Sequence, residues 1–389
     1  MQFEFATAGR IVFGQGRLAE ALSGAHRFGN RALVVTGKDP ARPGVLLERL
    51  RELGIEAVSM AVDGEPSVDS VLGGVALGRE HAAEFLVGFG GGSALDTAKA
   101  VAALLANTGN PLDYLEVVGR GQPLSKPALS CVAIPTTAGT GSEVTKNAVL
   151  ASQRHQVKVS LRDASMLPRL AIVDSELTLS MPRALTAATG LDALTQCIEP
   201  YLSCMANPLT DGLAREGMTR GARGLKRAYL DGMDLEARDD MALCSLFGGL
   251  ALANAKLGAV HGFAGPVGGM TQAPHGAICA RLLPLVFAAN ARALRQRAPS
   301  HPALARMSEV ACILTGEPGA SPDRAVLWLE ALVAELEIPG LSQYGLGHQH
   351  LEVLVSKAQR ASSMRGNPIE LSEAELGQIA EQALAPPGG

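Results

Sequence analysis

The sequence predicts an α/β protein in which a domain built on a parallel sheet is followed by an all-helical domain. Two observations predict it. Over the first 180 residues, short β-rich runs alternate with segments of helical spacing, the pattern of βαβ units whose sheet is covered on both faces. After Met181-Pro182 the strand-like runs stop, and Ala, Leu and Arg dominate. The chain has 389 residues, which suits about two domains better than one core. The expected domains are therefore 1–180, α/β, and 181–389, helical.

The elements follow in order. Arg31 to Thr36 (RALVVT) is a short β-rich run, and Val45 to Leu53 (VLLERLREL) has helical spacing. Glu56 to Val62 reads as a strand, Val68 to His81 as a helix, and Glu84 to Phe89 (EFLVGF) as a strand. A glycine-rich turn leads into a helix from Ser93 to about Asn107. Ser130 to Ile134 and Leu170 to Val173 are two more short, apolar strands. Beyond the boundary, helical periodicity runs through Ala184 to Ser203, Thr210 to Leu230, Glu236 to Asn254 and Asp323 to Leu336. A ligand is expected in the cleft between the two domains.

Composition removes several classes of function. The net charge is −4, and aromatic residues make up only 4%. There is neither a basic patch for a phosphate backbone nor a stacking platform for bases, so no nucleic-acid partner is expected. The N-terminus lacks a basic start with an apolar run after it, so no secretory leader is expected. The apolar run Leu283 to Ala289 is too short to span a bilayer, and no membrane partner is expected. Six scattered cysteines with no CxxC pair read as reduced thiols, which places the chain in the cytoplasm. The last three residues, Pro-Gly-Gly, are expected to fray.

The first chemical signal is EFLVGFGGGSALDTAKAVAALLAN. A strand ends in Gly90-Gly91-Gly92 and a helix follows, with Ser93 expected as its cap and Asp96 completing a capping-box-like pair. Glycines let a ligand approach the backbone, and the helix N-terminus attracts an anion such as a pyrophosphate. The plainer reading is a tight strand–helix turn. The second signal is IPTTAGTGSEVT, a loop rich in hydroxyls from Thr136, Thr137, Thr140 and Ser142, which can bond ribose or phosphate or can simply be a Ser/Thr turn. Together the two segments favour a dinucleotide site.

The third signal is TAATGLDALTQCIEPYLS, where Asp192 and Gln196 are four residues apart and share a helix face. The fourth is GAVHGFAGPVGGMTQAPHGAICA, with His261 and His275 flanking a Gly/Pro-rich connection. One carboxylate and two imidazoles suit a divalent transition metal such as zinc or iron. With a position left open, the metal would polarise a substrate oxygen as a Lewis acid. Hydrogen-bonded core histidines would give the same spacing.

These segments, with RIVFGQG near the start, LPRLAIVD, MPRALTAATGLDAL and the terminal MRGNPIELSEAEL, resemble the iron-containing (metal-dependent, group III) alcohol dehydrogenase family over nearly the whole chain. The resemblance implies a Rossmann-like N-terminal domain and a helical metal-binding domain, the dehydroquinate synthase-like fold. It also implies a homodimer, NAD or NADP as cofactor, a divalent metal (Fe or Zn), and a small alcohol or aldehyde as substrate. Carried over, Gly91, Gly92 and Ser93 hold the pyrophosphate, and Thr136, Thr137 and Thr140 contact the cofactor from the opposite loop. Lys158 approaches the ribose, Leu177 lies near the adenosine, and Asp192, His261 and His275 ligate the metal.

The sequence departs from the family pattern in two places. The usual fourth ligand is a histidine, and here Gln196 stands there, offering a neutral amide oxygen. Many relatives carry a histidine near the substrate at the position of Gly265. The remaining acid and two histidines resemble the three-ligand zinc site of glycerol dehydrogenases. NAD-specific sites place an acid against the ribose hydroxyls. Here the second-strand run ends Thr36-Gly37-Lys38, so Gly37 leaves room for a 2′-phosphate, Lys38 could pair with it, and Asp39 follows. Three alternatives stay open: a metal-independent maleylacetate reductase-like enzyme, a dehydroquinate synthase-like lyase, and a non-catalytic nucleotide-binding relative.

Overall fold

Alternating apolar residues build a sheet with two covered faces. In the strand Arg31–Thr36, Leu33 and Val35 enter one core, while Ala32 and Val34 enter another. In Phe85–Gly90, Leu86 joins the first core and Phe85, Val87 and Phe89 the second. This is the two-residue period of a strand buried on both sides. The computed structural model describes residues 2–39, 41–115, 119–152 and 157–386, with the side chains of 152, 157 and 158 outside that description. The expected fraying of residues 387–389 lies outside the described residues.

The strands are β1 (Ile11–Phe13), β2 (Arg31–Thr36), β3 (Glu56–Ala61), β4 (Phe85–Gly90), β5 (Ser130–Pro135), β6 (Asn147–Ser152), β7 (Val157–Arg162) and β8 (Leu170–Val173). Six of them form a parallel sheet in the order β1-β8-β5-β4-β2-β3. The hairpin partners β6 and β7 form a separate antiparallel pair, with Asn147 opposite Arg162. The sequence reading missed β1, β6 and β7. Three residues give β1 no period to read, and it exists by pairing with β8.

Helices α1 (Leu18–Ala21), α2 (Gly44–Glu52), α3 (Val68–Glu80), α4 (Gly92–Ala106) and α5 (Pro111–Tyr114) accompany the sheet. Leu46 and Leu50 of α2 pack on one face, and Val71, Val75, Ala98 and Val101 of α3 and α4 on the other. The chain steps from β2 outward to β3, then returns past β2 to β4. The direction of winding therefore reverses between β2 and β4, and the carboxyl ends at such a switch point are where ligands bind in open α/β sheets.

The helices that follow are α6 (Arg183–Leu202), α7 (Pro208–Leu230), α8 (Leu235–Ala255), α9 (Ala259–Met270), α10 (His275–Arg297), α11 (Ala303–Thr315), α12 (Pro322–Glu335), α13 (Leu351–Arg360) and α14 (Glu373–Leu384). They form a helical unit, Ser180–Gly389 with Met1–Phe5 and Ala138–Thr140, while the sheet unit comprises Ala6–Thr137 and Gly141–Leu179. Glycines on α7 bring helices close. A Cβ on Gly217 would meet Cys197 Sγ at 2.4 Å, and one on Gly221 would meet Cys244 Sγ at 2.9 Å. Against the expectation of no membrane-length apolar segment, α10 is long and apolar enough by length and composition. However, 83% of its apolar window is buried inside the structure, so that surface is used in the core.

Candidate metal centre and nucleotide corner

Helix α6 presents Asp192, Gln196 and Glu199 at i, i+4 and i+7, one face of a 3.6-residue period. All three are buried. The segment expected to be a Gly/Pro-rich connection is instead helix α9, with Pro266 inside it. His261 lies in its first turn, and His275 opens α10. Gly276 seats α10 on α6, since a Cβ there would meet the Ala188 carbonyl oxygen at 2.6 Å.

The helices bring Asp192, His261 and His275 together, and Cys279, one turn after His275, joins them. One ligand atom from each of the four lies within 4.8 Å of all the others. His261 Nε2 is 3.3 Å from Asp192 Oδ1, and His275 Nε2 is 4.0 Å from Asp192 Oδ2. Asp192 Oδ1 is buried and not aligned with any hydrogen-bond donor. A buried carboxylate oxygen without a donor is costly unless a cation compensates it. Gln196 Oε1 is likewise buried and unpaired. Three of the four members are buried, and the His275 side chain is 36% exposed, so the cluster opens to solvent on that side.

Burial alone would raise the Asp192 carboxyl, but the imidazoles of His275 and His261 outweigh it and hold the acid below the usual range. Burial would lower His261, yet Cys279, Asp192 and Glu199 carry it well above its ordinary value. Burial pushes the Cys279 thiol up to about 12, with Asp192 adding to the shift. The carboxylate and the imidazoles thus favour one another's charged forms.

Sequence reading missed Glu199 and Cys279. Glu199 Oε2 is 2.7 Å from His261 Nδ1, and its Oε1 accepts from the Val260 N–H at 2.7 Å. A negative charge at the start of α9 also suits the helix dipole. In the neutral tautomer whose Nδ1–H donates to Glu199, His261 carries a lone pair on Nε2, the nitrogen 3.3 Å from Asp192 Oδ1. Gly258 makes room, because a Cβ there would lie 2.9 Å from Glu199 Oε1. Asn367, from the terminal MRGNPIEL segment, accepts from the Ala259 N–H at 3.2 Å and so holds the same helix start. The signal for both missed residues was helical spacing, i+7 from Asp192 and i+4 from His275. Glu199→Gln is expected to weaken divalent-metal affinity by about 10- to 100-fold while the fold persists. Zinc titration with a competing chelator checks this, and unchanged affinity would contradict it.

In the sheet unit the glycine corner differs from its expectation in one respect. Helix α4 begins at Gly92 with Gly91 as N-cap, and no side chain caps it. Ser93 therefore sits in the first turn and is not the cap. Asp96 faces elsewhere, accepting from the Val149 N–H at 2.8 Å and from the Ser142 hydroxyl, and pairing with Lys99 at 3.0 Å. Lys99 is fully buried and donates to the carbonyls of Ser142 (2.9 Å) and Asn147 (2.6 Å) and to Thr145 Oγ1 (3.0 Å). The pair fastens the hydroxyl-rich loop to α4.

The corner lies at the switch point. A Cβ on Gly90 would be 3.2 Å from the Gly37 nitrogen, and one on Gly91 would be 3.3 Å from Thr137 Cγ2 and Oγ1. A Cβ on Gly37 would meet nothing within 4 Å. Thr136 is buried with its hydroxyl unpaired, while its carbonyl and that of Leu177 both accept from Arg42, at 3.2 and 2.7 Å. Thus Gly37, Gly91, Thr136, Thr137 and Leu177 are tied into one region. Thr140 belongs to the helical unit. Lys158 stands opposite Ala151 on β7, and its side chain lies outside the described residues. Lys38 pairs with Asp63 at 2.9 Å, and Asp39 accepts from the Ala41 N–H at 3.0 Å, forming the turn before α2.

In the same loop Glu143 is buried, and desolvation raises its carboxyl from the ordinary 4.5 to about 7. The folded state thus holds the proton more tightly than the unfolded one. The stability this gives is full below about pH 4.5 and is lost as pH rises through about 7. Glu143→Gln is expected to remove that slope, gaining on the order of 3 kcal/mol over the parent between about pH 5 and about pH 8. Urea unfolding at both values checks it, and parallel curves would contradict it.

Comparison with known proteins decides the family. The model of the iron-containing alcohol dehydrogenase family matches residues 8–175, and the model of its C-terminal part matches 186–384. The chain belongs to the iron-containing alcohol dehydrogenase family. The alcohol dehydrogenase 4 of Saccharomyces cerevisiae is 35% identical, over 95% of this chain and 96% of its own. The crystal structure of a 1,3-propanediol oxidoreductase superposes with a TM-score of 0.90 at 32% identity, covering 98% of this chain and 100% of that one. A sulfoacetaldehyde reductase from Bifidobacterium kashiwanohense, solved in complex with NAD+, gives a TM-score of 0.84 at 29% identity, covering 99% of both chains. As an iron-containing-type alcohol dehydrogenase, the chain is an oxidoreductase that moves hydride between NAD(P) and a small alcohol or its carbonyl, with a divalent metal as cofactor.

Proposed function

We propose that Asp192, His261 and His275 hold the catalytic metal, with Gln196 as an auxiliary neutral oxygen on the same helix face. The observation that carries this is the buried Asp192 Oδ1, without a well-aligned hydrogen bond, beside two imidazoles. The donor set, one carboxylate and two nitrogens, fits iron or zinc. When bound, the metal supplies Lewis acidity toward an alcohol or carbonyl oxygen. The chain's own residues do the rest. Glu199 holds the His261 ring, the exposed edge at His275 admits a small substrate, and the buried helices keep water from the other sides.

For the cofactor, the uncapped start of α4 at Gly91, Gly92 and Ser93 receives the pyrophosphate. Thr136, Thr137, Thr140, Lys158 and Leu177 complete its contacts, with Gly37 at the adenosine ribose. The room at Gly37 favours a site that accepts NADPH as well as NADH. The Lys38–Asp63 pair is highly exposed and weak, so it leaves Lys38 available to a 2′-phosphate. Gly37→Asp is expected to raise the KM for NADPH at least about tenfold relative to NADH, by like-charge repulsion. Steady-state kinetics with both cofactors check it, and an unchanged ratio would contradict it. The cytoplasm suits all six free cysteines, Cys197 and Cys244 included, whose sulfurs are 4.0 Å apart and not joined by a disulfide. A homodimer is the proposed assembly, and light scattering at several concentrations tests it.

The test of function is elemental analysis of the purified protein alongside an NADH- and NADPH-coupled screen of short alcohols and aldehydes. About one divalent metal per chain with turnover that a chelator abolishes is expected. Cofactor binding without turnover on a metal-loaded protein would overturn the reading.

A further inference from the structure

Cys279 is the member of the cluster that the family resemblance did not supply. It follows His275 by one helical turn on α10, so both side chains face the same way. Its sulfur is 3.7 Å from His261 Nε2 and 3.7 Å from His275 Nε2. A buried cysteine ordinarily behaves as a small hydrophobe, and Cys197, Cys244 and Cys279 all lie in the apolar core of the helical unit. The sulfur of Cys279 also meets two imidazole nitrogens and shares a cluster with the Asp192 carboxylate.

The separations carry chemical information. In a tetrahedral zinc site the metal–nitrogen and metal–oxygen bonds are about 2.0–2.1 Å and the metal–sulfur bond about 2.3 Å. Simple geometry then sets nitrogen–sulfur edges of about 3.6 Å and nitrogen–oxygen edges of about 3.3 Å. The chain's values are 3.7 Å for both nitrogen–sulfur pairs and 3.3 Å for His261 Nε2 to Asp192 Oδ1, at those edges, while His275 Nε2 stands farther from Asp192, at 4.0 Å. Asp192 Oδ1, buried and without a well-aligned hydrogen bond, belongs to the same cluster, where a cation would compensate it.

We propose that Cys279 is a metal ligand, completing a carboxylate–imidazole–imidazole–thiolate set that favours zinc over iron(II). The inference rests on the metal reading of Asp192, His261 and His275 given above and adds a fourth ligand to it. On binding, the thiol proton passes to solvent and the sulfur coordinates as thiolate. A soft thiolate shifts preference toward zinc, and zinc can expand to five ligands, so these four groups leave one position, which substrate oxygen can take in place of the neutral Gln196 oxygen.

The experiment uses the full chain stripped of metal and reloaded with cobalt(II) alone, and separately with zinc(II) alone. Cobalt-loaded parent is expected to show a near-ultraviolet sulfur-to-cobalt charge-transfer band, and Cys279→Ser to lose that band while still binding cobalt. Zinc affinity of the variant is expected to fall at least about tenfold. X-ray absorption at the zinc edge of the parent is expected to show one sulfur at about 2.3 Å, a readout that needs no variant to fold. A zinc shell of nitrogen and oxygen only, with identical cobalt spectra for parent and variant, would overturn the proposal while leaving the three-residue site intact. If the parent binds neither cobalt nor zinc, the underlying metal reading fails as well.

Discussion

Asp192→Asn is expected to lower kcat/KM on the order of 10³-fold, because the variant gives up the several kcal/mol that Lewis-acid catalysis supplies. Asparagine keeps the size and one carbonyl oxygen of the aspartate but removes the only carboxylate in the cluster. The change is made at a buried position of α6, so its fold needs checking by circular dichroism and thermal melting. Metal content should fall in parallel with activity, since a site of imidazoles and neutral groups attracts a dication less than one with a carboxylate. Cofactor affinity should not change, because the glycine corner belongs to the other unit. An Asp192→Asn enzyme with parental kcat/KM after chelator treatment would remove the metal from the chemistry.

Gly91→Val is expected to do the opposite. Gly91 has φ −75°, which any residue adopts, so backbone strain is not the issue. Its Cβ would already lie 3.3 Å from Thr137, and the extra methyls of valine would fill the space in front of the α4 N-terminus. Losing one or two charge-assisted hydrogen bonds to a pyrophosphate costs about 3 kcal/mol, a roughly 10²-fold rise in the KM for NADH and NADPH alike. Metal content and thermal stability should hold close to the parent. A variant with unchanged cofactor KM would place the nucleotide elsewhere on the sheet.

Much of the architecture was legible because it follows local patterns. The strands from Arg31 to Thr36 and from Glu84 to Phe89, and the helices between them, have the periods of buried elements. Their order is enough to imply a parallel sheet. The short strand Ile11–Phe13 was not legible, since only its partner β8 makes it a strand. The segment from Ala259 to Met270 reads as a connection because it holds four glycines besides Pro266. Its helix is held by tertiary contacts at its start, from Glu199 and Asn367.

From the residues alone, the grouping of Asp192 with His261 and His275 is one of two readings, beside hydrogen-bonded core histidines, because their separation in sequence gives no geometry; the family resemblance favours the metal reading. Cys279 and Glu199 had a local signal, helical spacing from a neighbour already singled out. That signal gained meaning only when three helices were seen to converge. The capping role given to Ser93 failed because the helix starts one residue earlier, at Gly92. Asp96 was drawn instead to Val149 and Lys99, partners that no local rule could supply.

The most direct measurement is an anomalous-difference map from crystals of the purified protein, collected on either side of the iron and zinc absorption edges. A single peak bonded to Asp192, His261 and His275 is the result expected. Crystals of chemically active enzyme with no peak at those side chains, or with a peak held by other residues, would contradict the account at its centre.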